Sequence, residues 1–274
     1  MLKYKKIYIE SLKRVSGTPS NFVVELPETV QLDNNTKCQI HEITVPHSWY
    51  GISTNYNDNF YFYQNDTVNV VEDYRQFSLR QGSYTADQLA TEIEFWLNTQ
   101  YDTNGRTNTY SVSYLSKENQ INIVCNYPSI LFSVFTDDEV INEQGNFTGL
   151  DTTSLNSVND IINYRTFSGL HSDQLSWYSG FVDLQPIKNL YLVCNDLCNY
   201  NQLTLDGYSG IVKKIPVVAS FTGIIFDNEV SITDYVDCSN KTLRKLNFKI
   251  EDERGRQVPM NNVDVSFSLT FFKD

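Results

Sequence analysis

The sequence predicts a mainly β protein, a β-sandwich interrupted by a small α+β insertion that carries one helix. Three observations support this prediction. Aromatic residues make up 14% of the 274 residues, with 18 Tyr and 16 Phe, and this enrichment suits pleated sheets. Residues 246–250 and 263–271 alternate between apolar and polar side chains, as strands with one buried face do. A single helical pattern, residues 85–98, stands between two β-rich segments.

The predicted helix is amphipathic and short. Thr85 is a good N-cap, and Glu92 falls on the polar face. Four apolar residues recur at helical spacing on the other face, namely Leu89, Ile93, Trp96 and Leu97. At about 1.5 Å per residue the helix is only about 20 Å long, which is too short for stability alone in water. Its apolar face must therefore lie on a sheet.

The segments after the helix predict that sheet. Residues 110–114 and 121–125 alternate on either side of a turn at 116–120, which is the pattern of a β-hairpin, and a third apolar run follows at 130–135. We therefore predict a first part of the sandwich at 1–76, an insertion domain at 77–164 and a second part of the sandwich at 165–274. The two sandwich parts are long enough for eight strands.

Further strands are predicted along the rest of the chain. Phe22, Val24 and Leu26 alternate with polar or smaller residues, and Pro27 is expected to end that strand. Residues 37–45 are mostly apolar and β-branched, as a strand buried on both faces is, and Pro46 closes the strand. Short strands are also predicted at 59–63, 67–71, 189–194, 211–220, 224–226 and 230–236.

The chain is acidic but begins with a basic segment. Lys and Arg number 21 and Asp and Glu number 33, so the net charge of −12 argues against duplex nucleic acid as a general partner. The first fourteen residues carry one acid, Glu10, and five basic residues: Lys3, Lys5, Lys6, Lys13 and Arg14. This segment is either a frayed, solvated terminus or a tether to an acidic neighbour or to nucleic acid.

Cysteine usage and hydropathy indicate the compartment. The five cysteines are irregularly spaced, and no secretory leader is recognisable, so we expect reduced thiols in a cytosolic or nuclear environment. No run approaches 18 apolar residues, and no membrane span is expected.

Catalytic and metal-binding motifs are weak in this sequence. His41 and His47 resemble a zinc-protease pair, but they are six residues apart and Pro46 forbids the helix that such a pair needs. Cys194 and Cys198 have metal-like spacing without a second pair, so buried thiols are the better interpretation. The acids at 137–139 are interpreted as a solvated turn or a helix start rather than a Ca²⁺ site. We therefore predict no enzyme, no metal and no cofactor.

Several segments resemble a known family. The stretch QGSYTADQLATEIEFWLN (residues 81–98), followed by the hairpin, ILFSVF (130–135) and GLD (149–151), is similar in order and type to a stretch of adenovirus penton bases. The opening SGTPSNFVVELP (16–27) with residues 43–49, and the closing NFKIEDERGR (247–256) through residue 271, resemble vertex (penton) proteins of virophages and polinton-like viruses.

This resemblance implies a single jelly-roll β-sandwich with an insertion domain, five copies of which close the vertex of an icosahedral capsid. It implies a homopentamer in the virion, assembled in the host cytoplasm or nucleus, whose partners are the major capsid protein and other capsid subunits. The chain is far shorter than an adenovirus penton base, so fibre binding and receptor loops are not implied.

Two sets of residues are candidates for contacts. Trp49, Tyr50, Trp177 and Tyr178 are candidates for the subunit interface, although a buried role within the chain fits each of them equally well. The basic segment (Lys3, Lys5, Lys6, Lys13 and Arg14) would hold neighbouring capsid subunits or the genome. The alternative function is a β-sandwich carbohydrate- or receptor-binding module, in which exposed Tyr and Trp stack on sugar rings.

Overall fold

The structure is a computed structural model that describes residues 4–68, 71–100, 109–147, 150, 155–163, 175–198, 203–204, 207–208, 210–230 and 235–273. Its strands are β1 (Tyr4–Glu10), β2 (Ser16–Thr18), β3 (Asn21–Gln31), β4 (Thr36–Pro46), β5 (Asn59–Asp66), β6 (Val71–Ser78), β7 (Tyr110–Leu115), β8 (Gln120–Cys125), β9 (Ile130–Val134), β10 (Ser176–Tyr178), β11 (Asn189–Val193), β12 (Leu203–Thr204), β13 (Gly207–Tyr208), β14 (Ile211–Pro216), β15 (Ile224–Asp227), β16 (Val236–Asp237), β17 (Thr242–Glu251) and β18 (Ser266–Lys273). The helices are α1 (Ala86–Gln100), α2 (Asp137–Asn142) and α3 (Asn159–Ile162). This content confirms the predicted mainly β class.

The chain forms two compact units. The sandwich comprises Met1–Trp49 and Ile187–Asp274, and the insertion comprises Tyr50–Pro186. Among the described residues the sandwich has two five-stranded antiparallel sheets. The first sheet has the order β1-β18-β4-β15, with β16 also paired to β4, and the second has the order β14-β11-β17-β3-β2. This is the predicted jelly-roll β-sandwich.

The last two long strands lie in the middle of the two sheets. β17 lies between β11 and β3, and β18 lies between β1 and β4. Their alternating apolar residues point into the sandwich, where the Phe248 and Phe267 rings are 4.9 Å apart and Phe22 lies 5.6 Å from Phe248. The period-2 pattern therefore identified both strands and their buried faces.

Pro27 does not end β3, which was predicted to stop there. The strand continues to Gln31, and its pairing with β17 shifts register between Leu243 and Lys245. Arg244 lies at this irregularity and donates a hydrogen bond from Nη1 to the Pro27 carbonyl at 2.9 Å. A bulge tolerates a residue without an N–H, so the proline interrupts the ladder but not the strand.

The insertion has its own core. Its sheets have the orders β6-β5-β9 and β10-β8-β7, and the predicted hairpin is β7 paired with β8 from Tyr110↔Cys125 to Leu115↔Gln120. Helix α1 packs against β7, and Leu89, Ile93 and Leu97 are fully buried in the same cluster as the hairpin residues. The sheet that the short helix requires is therefore present.

Polar side chains fix both ends of α1. The Thr85 hydroxyl accepts from the Gln88 N–H at 3.2 Å, and the Gln88 side chain accepts from the Thr85 N–H at 2.9 Å, which is a capping box. Near the other end, Asn98 bonds the backbone N–H and carbonyl of Tyr110, each at 2.9 Å. The helix thus also satisfies backbone groups of β7.

The insertion is longer than the predicted segment 77–164. β5 pairs with both β6 and β9, so residues 59–66 and 71–78 are hydrogen-bonded into the insertion rather than the sandwich. β10 pairs with β8, which places residues 176–178 there as well. Both boundaries depend on pairing between strands that are distant in sequence, and the local pattern does not contain that information.

Glu92 is buried, although its place in the helical pattern put it on the polar face. Its carboxylate accepts from the Arg80 guanidinium, at 2.8 Å from Nε, and from the Trp96 indole N–H at 2.8 Å. Burial by itself raises the pKa of Glu92, but the hydrogen bonds from Arg80 and Trp96 outweigh it and the net pKa is below the usual 4.5.

We predict that Phe248→Ala lowers the free energy of unfolding by about 3–5 kcal/mol, because it leaves a cavity between the two sheets. Urea denaturation followed by circular dichroism measures this loss. Phe181→Ala is the matched control, since that ring is exposed and its removal should cost less than about 1 kcal/mol. Equal losses in the two variants would contradict the assigned core.

We predict that Glu92→Gln flattens the dependence of thermal stability on pH in acid. A carboxylate whose folded pKa is below its unfolded pKa stabilises the fold above the unfolded value, 4.5, and this contribution disappears as pH falls through the folded pKa. Melting temperatures between pH 7 and about pH 3 measure the effect. Thr91→Ala, at an exposed and uncharged position of the same helix, should keep the wild-type slope, and an unchanged slope in Glu92→Gln would refute the assignment.

Candidate interaction surfaces

The chemical groups of the described residues do not converge on a metal site. Within those residues, no group of three His, Cys, Asp or Glu side chains is placed to hold a metal ion. His41 is exposed on β4, whereas His47 is buried, stacks on Trp49 at 4.1 Å and has Nδ1 2.8 Å from the Ala219 carbonyl. Burial lowers the pKa of His47, so its imidazole is neutral at neutral pH and acts in packing.

The cysteines are buried thiols, as predicted for Cys194 and Cys198. All five belong to the described residues, and none is in a disulfide. Burial raises the pKa of Cys198 to about 11, and it also raises the pKa values of Cys38 and Cys194 above the usual thiol range. Thiols with such pKa values are poor nucleophiles at neutral pH.

The acidic triplet 137–139 is a helix start, which was one of its two predicted interpretations. The Thr136 hydroxyl accepts from the Glu139 N–H at 3.3 Å, and Glu139 Oε2 accepts from the Thr136 N–H at 2.8 Å. This capping box opens α2. The carboxylates therefore serve the helix terminus.

The four aromatic interface candidates separate into two kinds. Trp49 and Trp177 are 2% and 3% exposed, so both have the intrachain role and offer almost no surface to another subunit. Trp177 lies on β10 opposite Ile123 in the insertion core. Tyr50 is half-buried and Tyr178 is exposed, and their part in an interface stays a prediction.

The basic segment is part of the sandwich. Lys3 lies outside the described residues, but β1 pairs with β18 along its whole length from Tyr4↔Phe272 to Glu10↔Ser266. The interpretation as a frayed terminus is therefore wrong for residues 4–10. The remaining basic residues make ion pairs within the sandwich: Lys5–Glu28 at 3.0 Å, Lys6–Glu42 at 3.0 Å, Lys13–Glu10 at 3.6 Å and Arg14–Asp264 at 2.8 Å.

The first sheet exposes apolar side chains at both of its edges. On β1 the Tyr8 ring faces solvent, and on β15 Ile224 and Phe226 do so while Ile225 between them is buried opposite Val45. The sequence predicts a short strand at 224–226 but not its exposed surface, because three consecutive apolar residues give no alternation that distinguishes a buried face from an exposed one. Only the position of β15 at a sheet edge shows that two of the three face outward.

A groove lies on the surface of the insertion beside α1. Its volume is about 710 Å³, and its lining includes Gln81, Tyr84, Gln88 and Phe95. The Arg80 guanidinium lies over the Phe95 ring, 5.2 Å from the ring centre. One face of this exposed ring is therefore covered by a cation from the chain itself.

Comparison with solved structures assigns the fold. The chain matches the crystal structure of selenomethionine-labelled mavirus penton protein over 99% of its own length and 99% of that chain, with a TM-score of 0.53 and 13% sequence identity. The chain has the fold of that penton protein. The resemblance to virophage vertex proteins inferred from sequence motifs is thus confirmed for the fold. No protein-family model and no curated protein matches the sequence.

The match covers the sandwich and the insertion alike. Because 99% of this chain is aligned, the aligned region includes both of its compact units. Among the described residues, no helix is long and apolar enough to span a membrane.

We predict that the native thiols react slowly with a disulfide reagent. In the folded protein, less than about one thiol equivalent per chain should react within minutes, because only exposed thiolates attack the reagent. In denaturant all five thiols should react. Absorbance of the released chromophore measures the count. Ser116→Cys, at an exposed turn position, should add one fast-reacting thiol, and a fast native thiol would contradict the burial described above.

Proposed function

We propose that this protein is a structural virion protein, the penton that forms the pentameric vertex of an icosahedral capsid. The observation that carries the proposal is the match of fold, over essentially the whole of both chains, to a penton protein. The earlier motif resemblance to virophage and polinton-like vertex proteins supports the same conclusion.

A vertex sets a geometric requirement on the subunit. Five identical copies around one axis contact each other head to tail, so each copy needs two different surfaces that fit together. Obligate contacts of this kind bury apolar and aromatic side chains. The exposed apolar residues at the two edges of the first sheet supply such surfaces.

The remaining parts of the proposal follow from the role. The partners are the major capsid protein and other capsid subunits, and the protein is located in the virion after assembly in the host cytoplasm or nucleus. The role is architectural, so the proposal includes no catalytic step and no cofactor.

The basic segment is proposed to contact capsid subunits rather than the genome. Lys5, Lys6, Lys13 and Arg14 already pair with acids of the sandwich, and the whole chain has a net charge of −12. Non-specific binding to nucleic acid depends on basic side chains that replace the counterions of the phosphates. A segment whose charges are matched within the chain suits a protein neighbour better.

A carbohydrate- or receptor-binding module is the second candidate. The exposed Tyr178 and the groove beside α1 favour it, because aromatic rings stack on sugars. It has less support, since Arg80 covers Phe95 and both Trp49 and Trp177 are buried. Binding of the purified monomer to a glycan array is the result that would favour this candidate over the first.

We predict that the purified protein is a pentamer. Light scattering after size exclusion should give about 158 kDa, five times the 31.6 kDa chain, and class averages in the electron microscope should show a five-fold ring. A monomer in solution, together with particles whose vertices lack this protein, would refute the proposal.

A further inference from the structure

We infer that the two opposite edges of the first sheet, β1 of one copy and β15 of the next, form the contact between neighbouring subunits of the ring. This inference rests on the proposed function and names the surfaces through which the pentamer closes. The partner of each edge is a second copy of this chain. The residues that carry the inference are Tyr8 and Leu12 on one side and Ile224 and Phe226 on the other.

The first surface, called the basic edge, consists of β1 and residues 11–15. Tyr8 and Leu12 are 71% and 69% exposed, and Val15 is exposed as well. β18 pairs with one side of β1, and no described strand pairs with its other side, so β1 is an edge of the sheet as described. An exposed edge strand with outward apolar side chains tends to associate with another chain.

The second surface, called the acidic edge, consists of β15 and the residues up to 230. Ile224 and Phe226 are 66% and 57% exposed, lie opposite Pro46 and Thr44 and share the outer face of the sheet. Val230 is also exposed. The backbone of β15 pairs with β4 on one side, and among the described strands β15 is the last at the other end of the sheet.

The two edges differ in charge in a complementary way. Residues 4–15 contain four basic side chains and one acid, whereas residues 224–230 contain two acids and no base. Asp227 pairs with the buried Lys213 at 3.1 Å, and Glu229 is exposed. On the basic edge the Lys13 side chain is 78% exposed and its pair with Glu10 is at the surface, where an ion pair contributes little. Lys13 can therefore turn to an acid of a neighbour at small cost.

The difference between the edges determines what kind of assembly they can make. A two-fold contact that joins two basic edges offers Lys13 no acid of the acidic edge, whereas a contact between unlike edges brings Lys13 to the edge that carries the exposed Glu229. A contact between unlike edges is head to tail, and when it closes into a ring it covers both edges of every copy. A second copy is therefore the partner that matches both surfaces at once.

The test uses two variants of the full-length chain that each damage one edge. Leu12→Asp and Ile224→Asp place a carboxylate at exposed positions, and each should reduce the mass measured by light scattering from the pentamer to the 31.6 kDa monomer. Each variant keeps the opposite edge intact. An equimolar mixture should therefore form one junction and give a 1:1 complex of about 63 kDa, but no ring.

Controls separate this inference from misfolding and from the proposed function. Circular dichroism and melting temperature establish that each variant is folded, and Tyr8→Asp and Phe226→Asp replace any variant that is not. Val68→Asp, at an exposed position of the insertion, should remain pentameric. The edge assignment would be overturned if Leu12→Asp and Ile224→Asp remained pentameric, if their mixture gave no 1:1 complex, or if Val68→Asp became monomeric. None of these results would contradict the proposed function as long as the wild type is a pentamer. A monomeric wild type would overturn the edge assignment, and a monomeric wild type together with particles whose vertices lack this protein would overturn the proposed function as well.

Discussion

The structure depends on one constraint, which is that the strands at the centre of both sheets of the sandwich come last in the chain. β17 and β18 each bond to a strand on either side, and Phe248 and Phe267 join the two sheets through their rings. Among the described strands β1 pairs only with β18, and Tyr4 lies opposite Phe272. Contacts this distant in sequence carry a large loop-closure cost before they contribute stability. The sandwich therefore forms only when its first and last segments meet.

The insertion is contiguous in sequence and forms part of its structure from local contacts. Its core contains both a helix and two sheets, and its hairpin and capped helix need only near neighbours. Helix α1 gains stability from burial of Leu89, Ile93 and Leu97. The Asn98 side chain in turn makes hydrogen bonds to the backbone carbonyl and N–H of Tyr110 on β7. A unit that completes its own hydrogen bonds and core can occupy the long interval between the two parts of the sandwich without disturbing their pairing.

The features that can be predicted correctly from the sequence are those that depend on residues near each other along the chain. Period-2 alternation identified the hairpin and the last two strands, and Thr85 with the helical apolar spacing identified α1. The errors share a different cause. The continuation of β3 past Pro27 depends on Arg244, the burial of Glu92 depends on Arg80, and the ordering of the basic segment depends on β18. The fold brings each of these partners into place from elsewhere in the chain, so the pattern of a single segment cannot predict the contact. The exposed β15 surface was missed for the same reason.

A vertex subunit of the proposed kind must remain soluble alone and yet bind its neighbours within a shell. Charge repulsion between copies acts at longer range, and burial of apolar surface acts at contact. A net charge of −12 makes separate copies repel each other, but salt screens this repulsion over about 8–10 Å. Burial of apolar side chains acts only at contact and is little affected by screening. The basic edge carries one loosely paired and exposed cation, Lys13, near the exposed Tyr8 and Leu12, and this cation attracts an acidic neighbour there. Charge thus favours one orientation of approach, and apolar contact holds the copies once they meet.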